Sequence, residues 1–165
     1  MLQDEYAVSG FFYNPNIHPF REYEFRRQEV ARLAEKLKWK VVYAEYDLRE
    51  WFAAVRGFAG EPERGRRCPI CFRFRLERTF RHAREHAFDC VASTLSISPY
   101  KVTSQINKQG LALGRQYGIA FLPENFKRND GYPASRRKAE ALGVRSQDYC
   151  GCAFSKVEKL LRLRK

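Results

Sequence analysis

Cys68-Pro69-Ile70-Cys71 and Cys150-Gly151-Cys152 hold four of the chain's five cysteines as two close pairs. Thiols two or three residues apart can chelate a metal or close a small redox-active disulfide. A C-x-x-C pair serves structural zinc, iron–sulfur ligation and dithiol redox chemistry alike. Cys68 and Cys71 stand at the predicted start of a helix, beside Arg66 and Arg67. The helix N-terminus and the two guanidiniums are expected to lower both thiol pKa values and favour thiolate, the species that ligates metals. Cys150 and Cys152, one glycine apart, can form a strained disulfide ring that is easy to reduce, and Gly151 permits the turn. All four thiols could instead hold one zinc ion. Cys90 lies in an apolar run and reads as a core residue.

The elements that must place these thiols alternate. Strands are expected over 7–13, 40–46, 89–95 and 119–122, each a short apolar run bounded by turn residues. Helices are expected over 21–38, 48–56, 69–87, 103–117 and 135–142, with a basic amphipathic helix over 154–165. In the helix 69–87, Phe72, Leu76, Phe80, Ala83 and Ala87 form the apolar stripe. In the helix 21–38 the stripe is Val30, Leu33, Ala34 and Leu37. Strand–helix alternation predicts one α/β domain spanning residues 1–165, an open parallel sheet with helices on both faces. Ligands in such folds bind beyond the carboxyl ends of the strands. That gathers 14–19, the neighbourhood of Asp47, and 96–101 around one crevice. His18, between Ile17 and Pro19, reads as structural rather than as a base.

The 165 residues carry 31 basic and 19 acidic side chains, a formal charge of +12. Such a field attracts polyanions, nucleic acid being the commonest. Eight arginines fall between positions 64 and 84, and Arg75, Arg78, Arg81 and Arg84 recur every third residue. They read either as a track for a phosphate backbone or as a solvated helix face. With 44 % apolar residues the composition is that of a folded domain, and no apolar run approaches a membrane span. A secretory signal is not seen, and with an odd cysteine count the expected location is the reducing cytoplasm.

Five strings, spread in order over nearly the whole chain, resemble the QueH-type epoxyqueuosine reductases. They are FFYNPNIHP at 11–19, VRG at 55–57, RCPICFR at 67–73, STLSISPYK at 93–101 and YCGCAFS at 149–155. The resemblance implies a nucleotide α-hydrolase-like fold. It implies a cytoplasmic iron–sulfur enzyme that removes the epoxide oxygen of epoxyqueuosine at the wobble position of tRNA. By the same resemblance, Cys68 and Cys71 ligate a 4Fe-4S cluster, and Cys150 and Cys152 are the redox-active pair. The partners implied are tRNA carrying epoxyqueuosine and an electron donor of unidentified nature. A further mononuclear metal stays open, with Asp47 and Asp130 as the acidic residues that could ligate it or donate protons.

One departure stands out. Family members normally begin with a strand followed by adjacent cysteines, whereas no cysteine precedes Cys68 here, and Leu2–Tyr6 resembles the end of the first helix. The fold is therefore expected to lack its first strand, which would lie between the strands at 7–13 and 89–95. Those two must pair directly, accept another strand or leave backbone groups unpaired. A zinc-stabilised RNA-binding domain and an inactive relative that retains tRNA affinity are the alternatives.

Overall fold

The computed structural model describes residues 5–163. Four short strands and six helices alternate along it: β1 (Gly10–Phe12), α1 (Phe20–Leu37), β2 (Val41–Tyr43), α2 (Leu48–Ala54), α3 (Arg67–Glu85), β3 (Cys90–Ala92), α4 (Thr103–Tyr117), β4 (Ala120–Leu122), α5 (Gly131–Ala141) and α6 (Ala153–Arg162). The α/β class holds, and every strand pairing is parallel. The continuous sheet does not. β1 pairs with β2 (Phe11 opposite Val42) and β3 with β4 (Val91 opposite Phe121), and among the described residues the two pairs share no ladder. Direct pairing of the strands at 7–13 and 89–95 is thus not the outcome.

The element that touches both pairs is α3. Toward β1, the His82 ring stacks on Phe11 at 4.5 Å, Phe74 faces Tyr13 at 6.1 Å, and Arg75 donates to the Tyr13 carbonyl. Toward β3 and β4, Phe72, Leu76, Phe80 and Ala83 pack with Val91, Ile106, Leu113 and Phe121. This is the predicted stripe, less Ala87, which lies exposed beyond the helix end. The Phe121 ring presses so closely on α4 that a Cβ at Gly110 would meet it at 2.3 Å, so a glycine is required there.

Two further clusters build the crevice. Phe12, Ile17 and Tyr23 seat α1 against the first strand pair. Trp51, Val55, Cys71 and Cys152 form the other, bringing α2, α3 and the start of α6 together. The tail helix runs over Ala153–Arg162, and the last two residues of its predicted span lie outside the described residues, as does most of Leu2–Tyr6.

Candidate active site

Local chemistry starts α3 at the first thiol pair. Pro69 falls in the first turn, where no backbone N–H is needed, and the helix opens at Arg67. Arg67 is almost wholly buried; its guanidinium gathers the carbonyls of Phe58, Ala59 and Glu61, bonds Glu158 at 3.3 Å, and lies over the Phe154 ring. It ties the preceding loop to α6 and so fixes where Cys68 and Cys71 emerge. Arg66 turns away to Glu61. The expected lowering of these thiols by the two arginines is therefore not found. Burial pushes Cys68 and Cys71 up, Cys71 being buried outright, and the arginine charges are spent on other partners. Each sulfur accepts one N–H, Cys68 from the Arg64 backbone at 3.2 Å and Cys71 from the Trp51 indole at 3.3 Å.

The second pair is held from α1. The Ile17 backbone bridges Cys152, the His18 N–H donates to the Gly151 carbonyl at 2.8 Å, and the Tyr149 hydroxyl returns to the His18 carbonyl at 3.1 Å. The FFYNPNIHP stretch is thus the frame of the C-x-C loop, and His18 has the structural place its sequence suggested. Arg26 donates to the carbonyls of Tyr149 and Cys150 and is itself held by Glu22. Gly151 adopts φ +105, and a Cβ there would meet Arg26 Nη1 at 2.9 Å and Ile17 Cγ1 at 3.0 Å. Only glycine suits this position.

The Cys150 sulfur accepts from Lys101 Nζ at 2.9 Å, and that ammonium also pairs with Glu63 at 2.7 Å. Cys152, at the N-cap of α6, accepts the Ser155 N–H and donates its own proton to Cys150. The hydrogen bond from Cys152 and the Lys101 charge lower the Cys150 pKa against the effect of burial. That same bond to Cys150, together with burial, drives Cys152 upward. Burial opposes the charge on Lys101, but Cys150 and Glu63 outweigh it and keep the ammonium protonated. The pair is therefore a thiolate beside its own proton-bearing partner.

The two pairs are neighbours: Cys71 and Cys152 pack in one buried cluster, and charge on Cys150 is felt at both Cys68 and Cys71. All four thiols are free, with no disulfide among them. A single tetrahedral zinc would draw its sulfurs to about 3.8 Å apart. Among the described residues, the one trio of His, Cys, Asp or Glu ligand atoms gathered within 4.8 Å is His82, Glu85 and His86, at the other end of α3. Among the described residues, no three of the four sulfurs lie within 4.8 Å of one another. Cys68 and Cys71 would serve a larger cluster as two of its ligands, since each sulfur already carries the N–H···S bond that tunes cluster potentials. Four-cysteine ligation from this crevice alone would consume Cys150 and Cys152 as well, so the two roles compete for those sulfurs.

Of the acidic candidates, Asp47 accepts from the Tyr13 hydroxyl at 3.0 Å, and Asp130 pairs with Arg137 at the start of α5. Cys90 sits half-buried in β3. The arginine stripe is largely committed: Arg75 to Asn14 and Tyr13, Arg78 to Glu45, Arg81 to Glu77 and Tyr117. Lys101, Glu63, Trp51 and Arg26 were not singled out from sequence. Two signals pointed to them: Lys101 closes the 96–101 loop expected at the crevice, and Arg26 falls three residues after Tyr23 on the inner side of α1. Among the described residues, no helix is long and apolar enough to cross a membrane.

The family model for "Epoxyqueuosine reductase QueH" matches residues 1–158. A protein of that name from Thermotoga maritima is 38 % identical over 152 residues, covering 90 % of this chain and 79 % of the relative. Its counterpart from Acinetobacter baylyi is 38 % identical over 156 residues, 94 % of this chain and 72 % of the relative. The one from Haemophilus influenzae is 36 % identical over 146 residues, 88 % and 60 % respectively.

Proposed function

The chain belongs to the epoxyqueuosine reductase QueH family, and from that premise we propose that it is an oxidoreductase converting epoxyqueuosine in tRNA to queuosine, with Cys150 and Cys152 as its redox pair. The observation that carries the assignment is the Cys150 sulfur, hydrogen-bonded to Lys101 Nζ at 2.9 Å and lowered in pKa by the Cys152 thiol and the Lys101 charge. The high positive charge favours a polyanionic substrate such as tRNA.

The dithiol balances the reaction by itself. Cys150 thiolate attacks an epoxide carbon, forming a C–S bond and breaking one C–O bond; the alkoxide takes a proton from Lys101. Cys152 then attacks the Cys150 sulfur. The S–S bond forms, the C–S pair becomes the second bond of the alkene, and hydroxide departs with the Cys152 proton as water. The two sulfurs have supplied two electrons, Lys101 and Cys152 one proton each, and the product is a C-x-C disulfide whose small ring makes it readily reducible. Cys68 and Cys71 would hold an iron–sulfur cluster, which when bound supplies electrons one at a time to restore the dithiol. Glu63 keeps Lys101 in place for reprotonation.

The test is nucleoside analysis of epoxyqueuosine-containing tRNA after incubation with protein and a chemical reductant. The wild-type protein yields queuosine, whereas C150S and C152S yield none while retaining tRNA. Full turnover by both variants would overturn the assignment.

A further inference from the structure

Tyr100 carries the most exposed aromatic ring among the described residues, 62 % accessible. A tyrosine ring left in water forgoes the burial that normally holds it, so a rigid exposed one is informative. The segment beneath it is fixed from several sides. The Tyr100 carbonyl accepts from Arg64 Nε at 3.1 Å, and the Tyr100 N–H donates to Ser98 Oγ at 3.3 Å. Lys127 Nζ clamps the carbonyls of Ser98 and Lys101 at 3.3 and 2.9 Å. The residue after Tyr100 is Lys101, whose ammonium sits on the Cys150 sulfur. A hydrogen-bonded backbone therefore presents an exposed aromatic ring next in sequence to the lysine that bonds the Cys150 sulfur, with the exposed Arg64 on its carbonyl.

An aromatic face beside a guanidinium is a surface for a nucleotide, the ring for the base and the cation for its phosphate. A base held inside a folded loop cannot reach a thiol within a crevice unless it leaves its stack, and a fixed platform repays part of that cost. We propose that the Tyr100 ring is the stacking platform for the epoxide-bearing nucleobase, swung out of the tRNA loop so that its substituent reaches Cys150. This rests on the reductase reading above. The fixed loop makes the platform preorganised, so little ordering entropy opposes stacking.

The experiment compares Y100A and Y100F by steady-state kinetics on epoxyqueuosine-containing tRNA, and by binding of the same tRNA in a C150S background, which needs no turnover. Loss of one stacked base corresponds to a fall of about 5- to 150-fold. Y100A is expected to lower kcat/KM and weaken binding by a factor in that range, with Y100F recovering most of both. The rate at which iodoacetamide alkylates Cys150 should be the same in Y100A as in wild type, which shows the crevice intact. Y100A with unchanged kcat/KM and unchanged binding overturns the platform, as does Y100F failing as badly as Y100A. Weakened binding by Y100A in a protein without reductase activity would remove the activity and leave the platform standing.

Discussion

Cys68 and Cys71 each receive a single neutral N–H, from the Arg64 backbone and the Trp51 indole, and burial keeps their protons on. Cys150 receives an ammonium and a thiol, and its proton is gone, while Cys152 holds its own more tightly. The same functional group at the two sides of one crevice is thus prepared for two tasks. A thiol pair whose burial outweighs the charges near it ionises when a metal arrives to replace the protons. A pair split into thiolate and thiol is ready for a substrate, one sulfur to attack and the other to resolve. Neither task follows from cysteine spacing; both follow from what the fold places against the sulfurs.

The strongest attempt to break this division is to remove the first pair. On the proposed cluster assignment, C68S/C71S should purify without the iron that wild type carries and lose more than about 100-fold in turnover, measured by metal analysis and nucleoside conversion. Cys150 should keep its alkylation rate, because none of its hydrogen-bond partners is altered. Loss of that reactivity together with the iron would show that the pairs are one device.

G151A strikes the second pair alone. A left-handed backbone angle and contacts at 2.9 and 3.0 Å predict destabilisation of about 2 kcal/mol. Urea unfolding checks it, and a stability within 0.5 kcal/mol of wild type would show that the C-x-C loop tolerates another shape. K101M should act more gently. The thiolate is the nucleophile, so wild-type alkylation of Cys150 should hold its rate at neutral pH and fall only in the acid range, below its lowered pKa. Without the Lys101 charge the break should move upward by about one pKa unit, so the rate should drop about tenfold at acid pH, below the break, and change little at neutral pH. An unmoved profile would assign the low pKa to Cys152 alone.

Helical parts of this division were legible beforehand. α4 runs over the predicted 103–117, because its apolar period is clean and Gly118 takes the left-handed turn that ends it. α3 was readable from Phe72, Leu76, Phe80 and Ala83. The strands are shorter than the apolar runs that announce them, since a run such as 40–46 does not show how far a partner lies beside it, and each strand here has one partner. The four thiols announced themselves by spacing. Their ionisation did not: Arg66 and Arg67 are adjacent in sequence but turned aside in space, and the cation that matters, Lys101, comes from another loop. The partners of the arginine stripe were hidden in the same way, Asn14, Glu45 and Tyr117 lying far along the chain.

The smallest effect tests whether the second pair depends on α1. Glu22 accepts from Arg26 at 2.8 Å and from Arg145 at 2.8 Å, and its side chain is 15 % exposed. Burial pushes its pKa up, but the hydrogen bonds and charge of the two guanidiniums prevail and hold it below the ordinary carboxylate value. A carboxylate lowered on folding contributes stability above its unfolded pKa and loses it as pH falls through the folded one. E22Q cannot ionise, so it should be about 1 kcal/mol less stable than wild type near neutrality, and the gap should close in the acid range. Because Arg26 also holds the Tyr149 and Cys150 carbonyls, E22Q should speed hydrogen exchange at the His18 amide that bonds Gly151. The Arg64 amide that serves Cys68 shares no partner with Glu22 and should exchange as before. Faster exchange at both amides, or a stability gap that ignores pH, would mean that α1 does not support the C-x-C pair selectively.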